Sequence, residues 1–317
     1  MKVLLFKLAY MLPVVSVIIP NYNYAKFLNQ RIDSVLSQTF KDIELIILDD
    51  NSQDNSAQVI EEYRANPLVS HIVFNETNSG STFKQWRKGF ELARGEFIWI
   101  AEADDYAAPT LLEKLLNFMR KDTCIKVGFV NSNWVTPTST FVNKDYTIAE
   151  PWHIYDGRAF VLEHLLKENY IYNASMALFR KDAIAGVNDV YMQFRSCGDK
   201  IFWRDMALQG KVLYVCEPLN NFRIHDAKVT TNAISSGLLF KEEHKFFYMN
   251  IQSGLVGVSR RLDVVRYFIR YIENVKDTLV SNEVYNDVKH MWLMEKDWHN
   301  AKLPLFFRLY CWLSNLR

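Results

Sequence analysis

The sequence predicts an α/β fold with a mostly parallel central sheet, followed by a helical C-terminal region. Three observations carry that reading. Short β-branched apolar runs alternate with helical periodicities from about residue 14 to residue 225, and several of these runs stop in polar or acidic residues. From about residue 235 the patterning becomes helical throughout.

In order along the chain, "VVSVIIP" (14–20) and "IELIILDD" (43–50) read as strands buried on both faces, because they are continuous in apolar residues and end in turn formers. Between them, "AKFLNQRIDSVLSQT" sets Leu28, Ile32, Val35 and Leu36 at helical spacing, with Arg31, Asp33 and Gln38 elsewhere, which completes a β-α-β unit. The alternation continues with a helix over 54–65, a strand "HIVFN" (71–75), a helix over 82–94 and the strand "FIWIA" (97–101). "KVGFVNSNW" (126–134) and "ASMALFR" (174–180) read as strands, 197–210 as a helix, and 211–225 as a strand leading into a loop. A boundary near 230–236 divides the chain into a domain over 1–232 and a helical region over 233–317. There "LDVVRYFIRYIENVKDTLV" carries an apolar stripe through Val265, Phe268, Ile269 and Ile272.

Lys plus Arg (37) nearly cancel Asp plus Glu (36), so bulk charge offers nothing to a nucleic acid, and none is expected as a partner. Cys124, Cys197, Cys216 and Cys311 are scattered with no C-x-x-C pair, which argues against a disulfide framework and a zinc site and fits a reducing cytoplasm. Lys7 interrupts the apolar start "MKVLLFKLAYMLPVV" and no small-residue cleavage site follows, so it reads as a lead-in segment. No run reaches the roughly 20 apolar residues needed to span a bilayer, and a soluble or peripheral protein is expected. The closing "KLPLFFRLYCWLSNLR" either packs on its own domain or on a second subunit, or lies on the inner membrane surface near a lipid-linked acceptor. The N-x-[ST] matches at Asn75 and Asn173 carry no weight in a chain this long.

Ligands of parallel sheets bind beyond the carboxyl ends of the strands. That rule gathers "PNYN", "DDNSQDNS" and "EADD" at one edge. Glu102, Asp104 and Asp105 either share a divalent cation, Mn²⁺ or Mg²⁺, with a phosphate, or cap the helix that starts at Pro109. Asp50, beside Asp49, either accepts from a uracil N3–H or a ribose hydroxyl, or forms an Asx turn ahead of the next helix. No G-x-x-x-x-G-K-[ST] or G-x-G-x-x-G stretch is present, which excludes P-loop and Rossmann phosphate sites.

Taken together, "VSVIIPNYN", "SVLSQTFKDIELIILDDNS", "GEFIWIAEADD", "GDKIFW" and "EPLNNFRIH" resemble the family 2 glycosyltransferases in order and spacing, over roughly residues 14–226. The resemblance implies a GT-A type nucleotide-diphosphate-sugar-binding domain, a divalent metal and inversion at the anomeric carbon. It implies a UDP-sugar donor and a hydroxyl acceptor on a growing or lipid-linked glycan. By position, Pro20 and Tyr22 would line the base-binding edge, with Tyr22 stacking on the base and Asp50 on the uracil. Asp104 and Asp105 match the paired acids that hold ribose and metal, and Glu102 takes the first position of that D-x-D as a metal ligand or just behind one. Asp199 matches the general base; its alternative is an N-cap. Arg223 and His225 would contact diphosphate or metal, or be surface hydrogen-bonders. Two departures stand out. Where relatives carry A-R-N-x-G this chain reads "STFKQWRKG", leaving Lys84 or Arg87 to reach the nucleotide, and Gly198 replaces the Glu before the base. A non-catalytic nucleotide-sugar sensor or assembly subunit would keep Asp50 and Asp104 without needing Asp199. A sugar nucleotidyltransferase is disfavoured by the lack of a Gly-rich, basic loop after the first strand.

Overall fold

The computed structural model describes residues 12–143, 150–224 and 229–293, which divide into two compact units. The larger takes in the described parts of 1–161, 170–193 and 198–226, and the smaller those of 162–169, 194–197 and 227–317.

The larger unit begins with the alternation expected from the sequence. Strand β1 (Val15–Asn21), helix α1 (Ala25–Leu36), β2 (Ile43–Asp49), α2 (Ser56–Glu62), β3 (Val69–Phe74), α3 (Thr82–Leu92) and β4 (Phe97–Ile100) follow one another. The four strands are parallel, in the spatial order β3-β2-β1-β4. Every residue of β1, β2 and β4 is buried, which is why these segments are apolar at successive positions instead of alternating. Pro20 sits past the last pair of the β1–β4 ladder, Ile18 with Ile100, where its missing N–H leaves no gap.

Then come β5 (Tyr106–Ala107), α4 (Leu111–Met119), β6 (Ile125–Val135), β7 (Thr140–Val142), β8 (Trp152–Asp156), β9 (Ala177–Arg180), α5 (Gly198–Ala207) and β10 (Lys211–Arg223). The sheet continues β4-β9-β6-β10-β5, with β6 and β10 parallel and β9 antiparallel to both its neighbours. The sheet is thus mostly parallel through its centre.

Two stretches depart from the sequence reading. "ASMALFR" is not one strand: Ala174–Met176 form a 3₁₀ turn and only Ala177–Arg180 pair. The cause is local, since the Asn173 side chain accepts from the Ser175 N–H and draws the backbone out of the ladder. The stretch after 211 remains a strand through Arg223, with Pro218 absorbed by register shifts against β6.

In the smaller unit, α6 (Val229–Ser235) starts before the expected change of character, and Gly237 at φ 74° separates it from α7 (Leu238–Gln252). Helices α8 (Val258–Asn274) and α9 (Asn282–Leu293) follow, and the stripe Val265, Phe268, Ile269 and Ile272 is buried, joined by Val264. Phe268 stacks on Trp292 of α9 at 4.2 Å between ring centroids. Glu242 of α7 accepts from the backbone N–H groups of Arg195, Ser196 and Cys197 at 2.8–2.9 Å.

Among the described residues Cys124, Cys197 and Cys216 form no disulfide, and no helix is long and apolar enough to cross a membrane. The segments read from sequence at 1–11 and 303–317, with Cys311, lie outside the described residues.

Candidate active site

The carboxyl ends of β1 and β2 are joined by side chains. Asn21 Nδ2 donates to Asp49 Oδ1 at 2.7 Å and to Ser52 Oγ at 3.1 Å. Ser52 donates its hydroxyl and N–H back to the Asp49 carboxylate. Asn23, at φ 60°, accepts from the Gln53 N–H while its own N–H donates to Ser52 Oγ. The Asx turn ahead of α2 is closed on Ser56 by Asp54, not by Asp50. This seam holds Tyr22 at the surface, 45% exposed, with Pro20 buried beneath.

Asp50 is turned the other way, onto the segment that leads into α3. Its Oδ1 accepts from Asn75 Nδ2 (2.6 Å), the Ser79 N–H (2.9 Å) and Gln85 Nε2 (2.9 Å), and its Oδ2 from Ser79 Oγ (2.7 Å). It is 4% exposed, so a base N–H reaching this carboxylate would have to share an oxygen with Ser79. The two basic candidates separate here. Lys84 Nζ donates to Ser79 O at 3.0 Å, beside the Asp50 network, whereas Arg87 pairs with Asp189 at 2.9 Å and Glu91 at 3.3 Å. Lys88, not singled out by the sequence reading, reaches Asn75 Oδ1 at 2.6 Å.

The acidic loop follows β4 and is pinned on its far side where β5 pairs antiparallel with β10, Ala107 opposite Asn220 and Tyr106 opposite Asn221. Arg223, at the end of β10, therefore lies on the loop. Its backbone N–H donates to Asp105 Oδ1 (3.0 Å), its Nε to Asp104 O (2.7 Å), and its guanidinium stands 4.4 Å from the Phe27 ring centroid and 5.4 Å from that of Tyr106. Asp105 is not a helix cap: the N-cap of α4 is Thr110, and the Asp105 carboxylate faces Arg223.

Glu102 Oε1 accepts from the indole N–H of Trp86 at 3.0 Å. Burial, then the charge of Asp104, pushes the Glu102 carboxyl up to about 8 against the opposing Trp86 bond. Burial and Asp104 likewise raise Asp105, opposed by Arg31, the Arg223 N–H and the Ser175 hydroxyl. The Tyr24 hydroxyl is raised by burial and then by the charges of Asp104, Glu102 and Asp105. Behind the loop lies Arg31 of α1, with no exposed surface, donating through Nε to Glu102 O (2.9 Å) and through Nη2 to Ser175 Oγ (3.2 Å). Ser175 Oγ also accepts from the Glu102 N–H at 3.0 Å.

These residues fit a divalent cation. Asp105 Oδ2 is buried without a hydrogen-bond partner, and burial, then the charge of Asp104, disfavours the ionised Glu102 and Asp105 carboxyls, a cost that such an ion would relieve. Among the described residues no three His, Cys, Asp or Glu side chains group closely enough to hold an ion alone, so phosphate or water oxygens would complete its shell. His225 lies outside the described residues.

Asp199 stands in the first turn of α5, partly exposed, with Oδ1 accepting from the Lys200 N–H at 2.8 Å. Phe202 and Trp203, three and four residues on, share its face of the helix. Both rings pack against Trp86, at 5.6 and 6.2 Å between centroids. One indole thus touches the helix of Asp199 through its ring and the acidic loop through its N–H. Gly198 is required here, because a Cβ would lie 2.4 Å from the Phe83 ring and 2.5 Å from Tyr191 O. The space of a side chain at 198 is filled by Phe83.

The order of these segments is that of a known family. The sequence profile of glycosyl transferase family 2 matches residues 16–187, more than half of the chain. The chain belongs to glycosyl transferase family 2. An uncharacterized glycosyltransferase of Haemophilus influenzae is 39% identical over 108 residues, 34% of this chain and 43% of that protein. The poly(ribitol-phosphate) beta-N-acetylglucosaminyltransferase TarS of Staphylococcus aureus is 29% identical over 195 residues, 59% of this chain and 31% of TarS. The aligned stretches therefore span less than half the length of these relatives. The crystal structure of S. aureus TarS 1–349 in complex with UDP-GlcNAc superposes with a TM-score of 0.65 at 19% identity, covering 88% of this chain and 80% of that one. The shared fold is GT-A.

Among the residues around this candidate site, sequence reasoning did not single out Tyr24, Arg31, Gln85, Trp86, Lys88 and Ser175. The one available signal was "STFKQWRKG" standing where relatives carry A-R-N-x-G: within it Gln85 and Trp86 bond Asp50 and Glu102.

Proposed function

We propose that this protein is an inverting glycosyltransferase that moves a sugar from a nucleoside diphosphate donor, UDP-linked in the favoured reading, to a hydroxyl of a growing or lipid-linked glycan. The single observation that carries the proposal is the acidic loop at the end of β4, held by Arg223 and Trp86, with one Asp105 oxygen buried and unpartnered. Family membership and the likeness to TarS, whose structure holds UDP-GlcNAc, support the donor class.

In this reading Tyr22 stacks on the base at the edge formed by the β1 and β2 loops, and Lys84 meets the nucleotide beside Asp50. Asp104 contacts the donor ribose, and Asp105 with Glu102 faces a divalent ion, Mn²⁺ or Mg²⁺. When bound, that ion neutralises charge on the departing diphosphate. Arg223 fixes the two aspartates, so their geometry exists before the donor arrives. Asp199 accepts the proton of the acceptor hydroxyl as its oxygen attacks the anomeric carbon from the side opposite the diphosphate. The domain boundary near 230–236 and a cytoplasmic location, with peripheral membrane contact or self-association through the C-terminal helices, belong to the same proposal.

The test is a transfer assay with a panel of UDP- and other nucleotide-sugars, with Asp199→Asn alongside the wild type. Transfer by the wild type and none by the variant, with UDP affinity retained, supports the assignment. Undiminished transfer by Asp199→Asn removes the base.

A further inference from the structure

Among the described residues of the larger unit Arg31 is the most deeply buried charge, and the mechanism above leaves it unused. Its side chain has no exposed surface, and it reaches the acidic loop from behind. It donates to the main chain of that loop at Glu102 O (2.9 Å) and to Ser175 Oγ (3.2 Å), the hydroxyl that also receives the Glu102 N–H. Its guanidinium lies 5.7 Å from the Trp99 ring, and Trp99 in turn donates its indole N–H to Ser175 O at 2.8 Å. Two buried atoms of opposite charge at this site lack a hydrogen-bond partner, Arg31 Nη1 and Asp105 Oδ2. Burying a guanidinium costs free energy unless opposite charge answers it, and the opposite charges that act on Arg31 are those of Asp105, Asp104 and Glu102, set against the like charge of Arg223.

We propose that Arg31 is a resident counter-cation that holds the acidic loop in its binding geometry before any divalent ion arrives, and thereby sets how strongly diphosphate binding depends on that ion. The proposal rests on the donor-site reading for its ligand but not for its geometry. An acidic loop without an internal cation repels itself and opens until a metal draws it together. With Arg31 in place, Asp105 is compensated from behind while Oδ2 is left without a protein partner. Arg31 is a positioning residue, since nothing in its contacts reaches a reacting atom.

The test uses the full chain as wild type, Arg31→Lys and Arg31→Gln. In EDTA, amide exchange over residues 101–107 should quicken by about tenfold or more in Arg31→Gln, the size of losing a charge-assisted contact, with β2 unchanged and Arg31→Lys in between. Calorimetry with UDP as the probe, in EDTA and in saturating Mn²⁺, should give a ratio of the two affinities about tenfold larger in Arg31→Gln than in the wild type. Unchanged exchange in the loop, or equal weakening in both conditions, overturns the proposal and leaves Arg31 a packing residue. Should the wild type bind no nucleoside diphosphate in either condition, the donor-site reading and the linkage fall together, while exchange still decides the anchoring. Should both variants fail to fold, the wild type decides: UDP binding in EDTA within about a hundredfold of that in Mn²⁺ supports the role, and its complete loss in EDTA overturns it.

Discussion

Asp199 and Trp86 separate two kinds of residue in this site. Asp199 is proposed to act on the acceptor proton, so Asp199→Asn should cut transfer by about 10²–10⁴-fold and leave UDP affinity within about twofold, as general-base removal does. A rate assay beside calorimetry checks both halves. Trp86 connects: its ring packs on Phe202 and Trp203 while its N–H serves Glu102. Trp86→Phe keeps most of the packing and leaves Glu102 Oε1 without its donor, which should cost about 1–3 kcal/mol in urea unfolding. Unaltered stability would mean that the bond contributes nothing. At this scale the sequence was half legible. The acids stood out, because three carboxylates within four positions close an apolar strand, and the sequence left a cation site and a helix cap both open. Arg31 and Trp86 did not, since each is an ordinary member of a helical pattern whose partner lies 71 or 16 residues away.

At the scale of the elements, strand β2 carries a buried acid far from the site. Glu44 accepts from Ser16 Oγ at 2.6 Å and from Arg94 through its N–H and side chain at 2.7–2.9 Å. Burial alone would raise its pKa, but the bonds from Ser16 and Arg94 prevail and hold it below the ordinary value of 4.5. A lowered carboxylate pKa contributes stability that is present above the unfolded value and lost as pH falls through the folded one. Glu44→Gln should therefore lower stability by about 2 kcal/mol at neutral pH, with the gap to wild type closing below about pH 4. Denaturant titrations across pH check it. Helix α5 offers a second probe: Gly198→Ala sets a Cβ against Phe83 and should cost about 1–3 kcal/mol of overpacking. The parallel elements were legible because a strand covered on both faces needs apolar residues at nearly every position, as β4 has throughout and as β1 and β2 have apart from Ser16, Asn21, Glu44 and Asp49. The segment 174–180 was not, because side chain to backbone bonds of Asn173 compete with the ladder and leave no trace in hydropathy. Nor could a sequence pattern reveal that β9 inserts antiparallel between two strands of the opposite direction.

For the whole molecule, the sheet serves to bring distant loops to one edge. The β1 and β2 loops are bonded to each other, Asp50 carries the segment before α3, and α3 returns through Gln85 and Trp86 to both acidic strand ends. β10 then delivers Arg223 to the last of them. A site assembled this way should be largely formed in the free protein, and a ligand that binds only the folded state should raise its melting temperature by mass action. The central claim is that the acidic loop is the diphosphate end of a donor site. The measurement that tests it most directly is the melting temperature with UDP, GDP, ADP and CDP, each with and without Mn²⁺, for the wild type and Asp105→Asn. A rise with one diphosphate, UDP in the favoured reading, that grows with Mn²⁺ and disappears in Asp105→Asn is the expected result. No rise with any diphosphate, or an equal rise in Asp105→Asn, would contradict it.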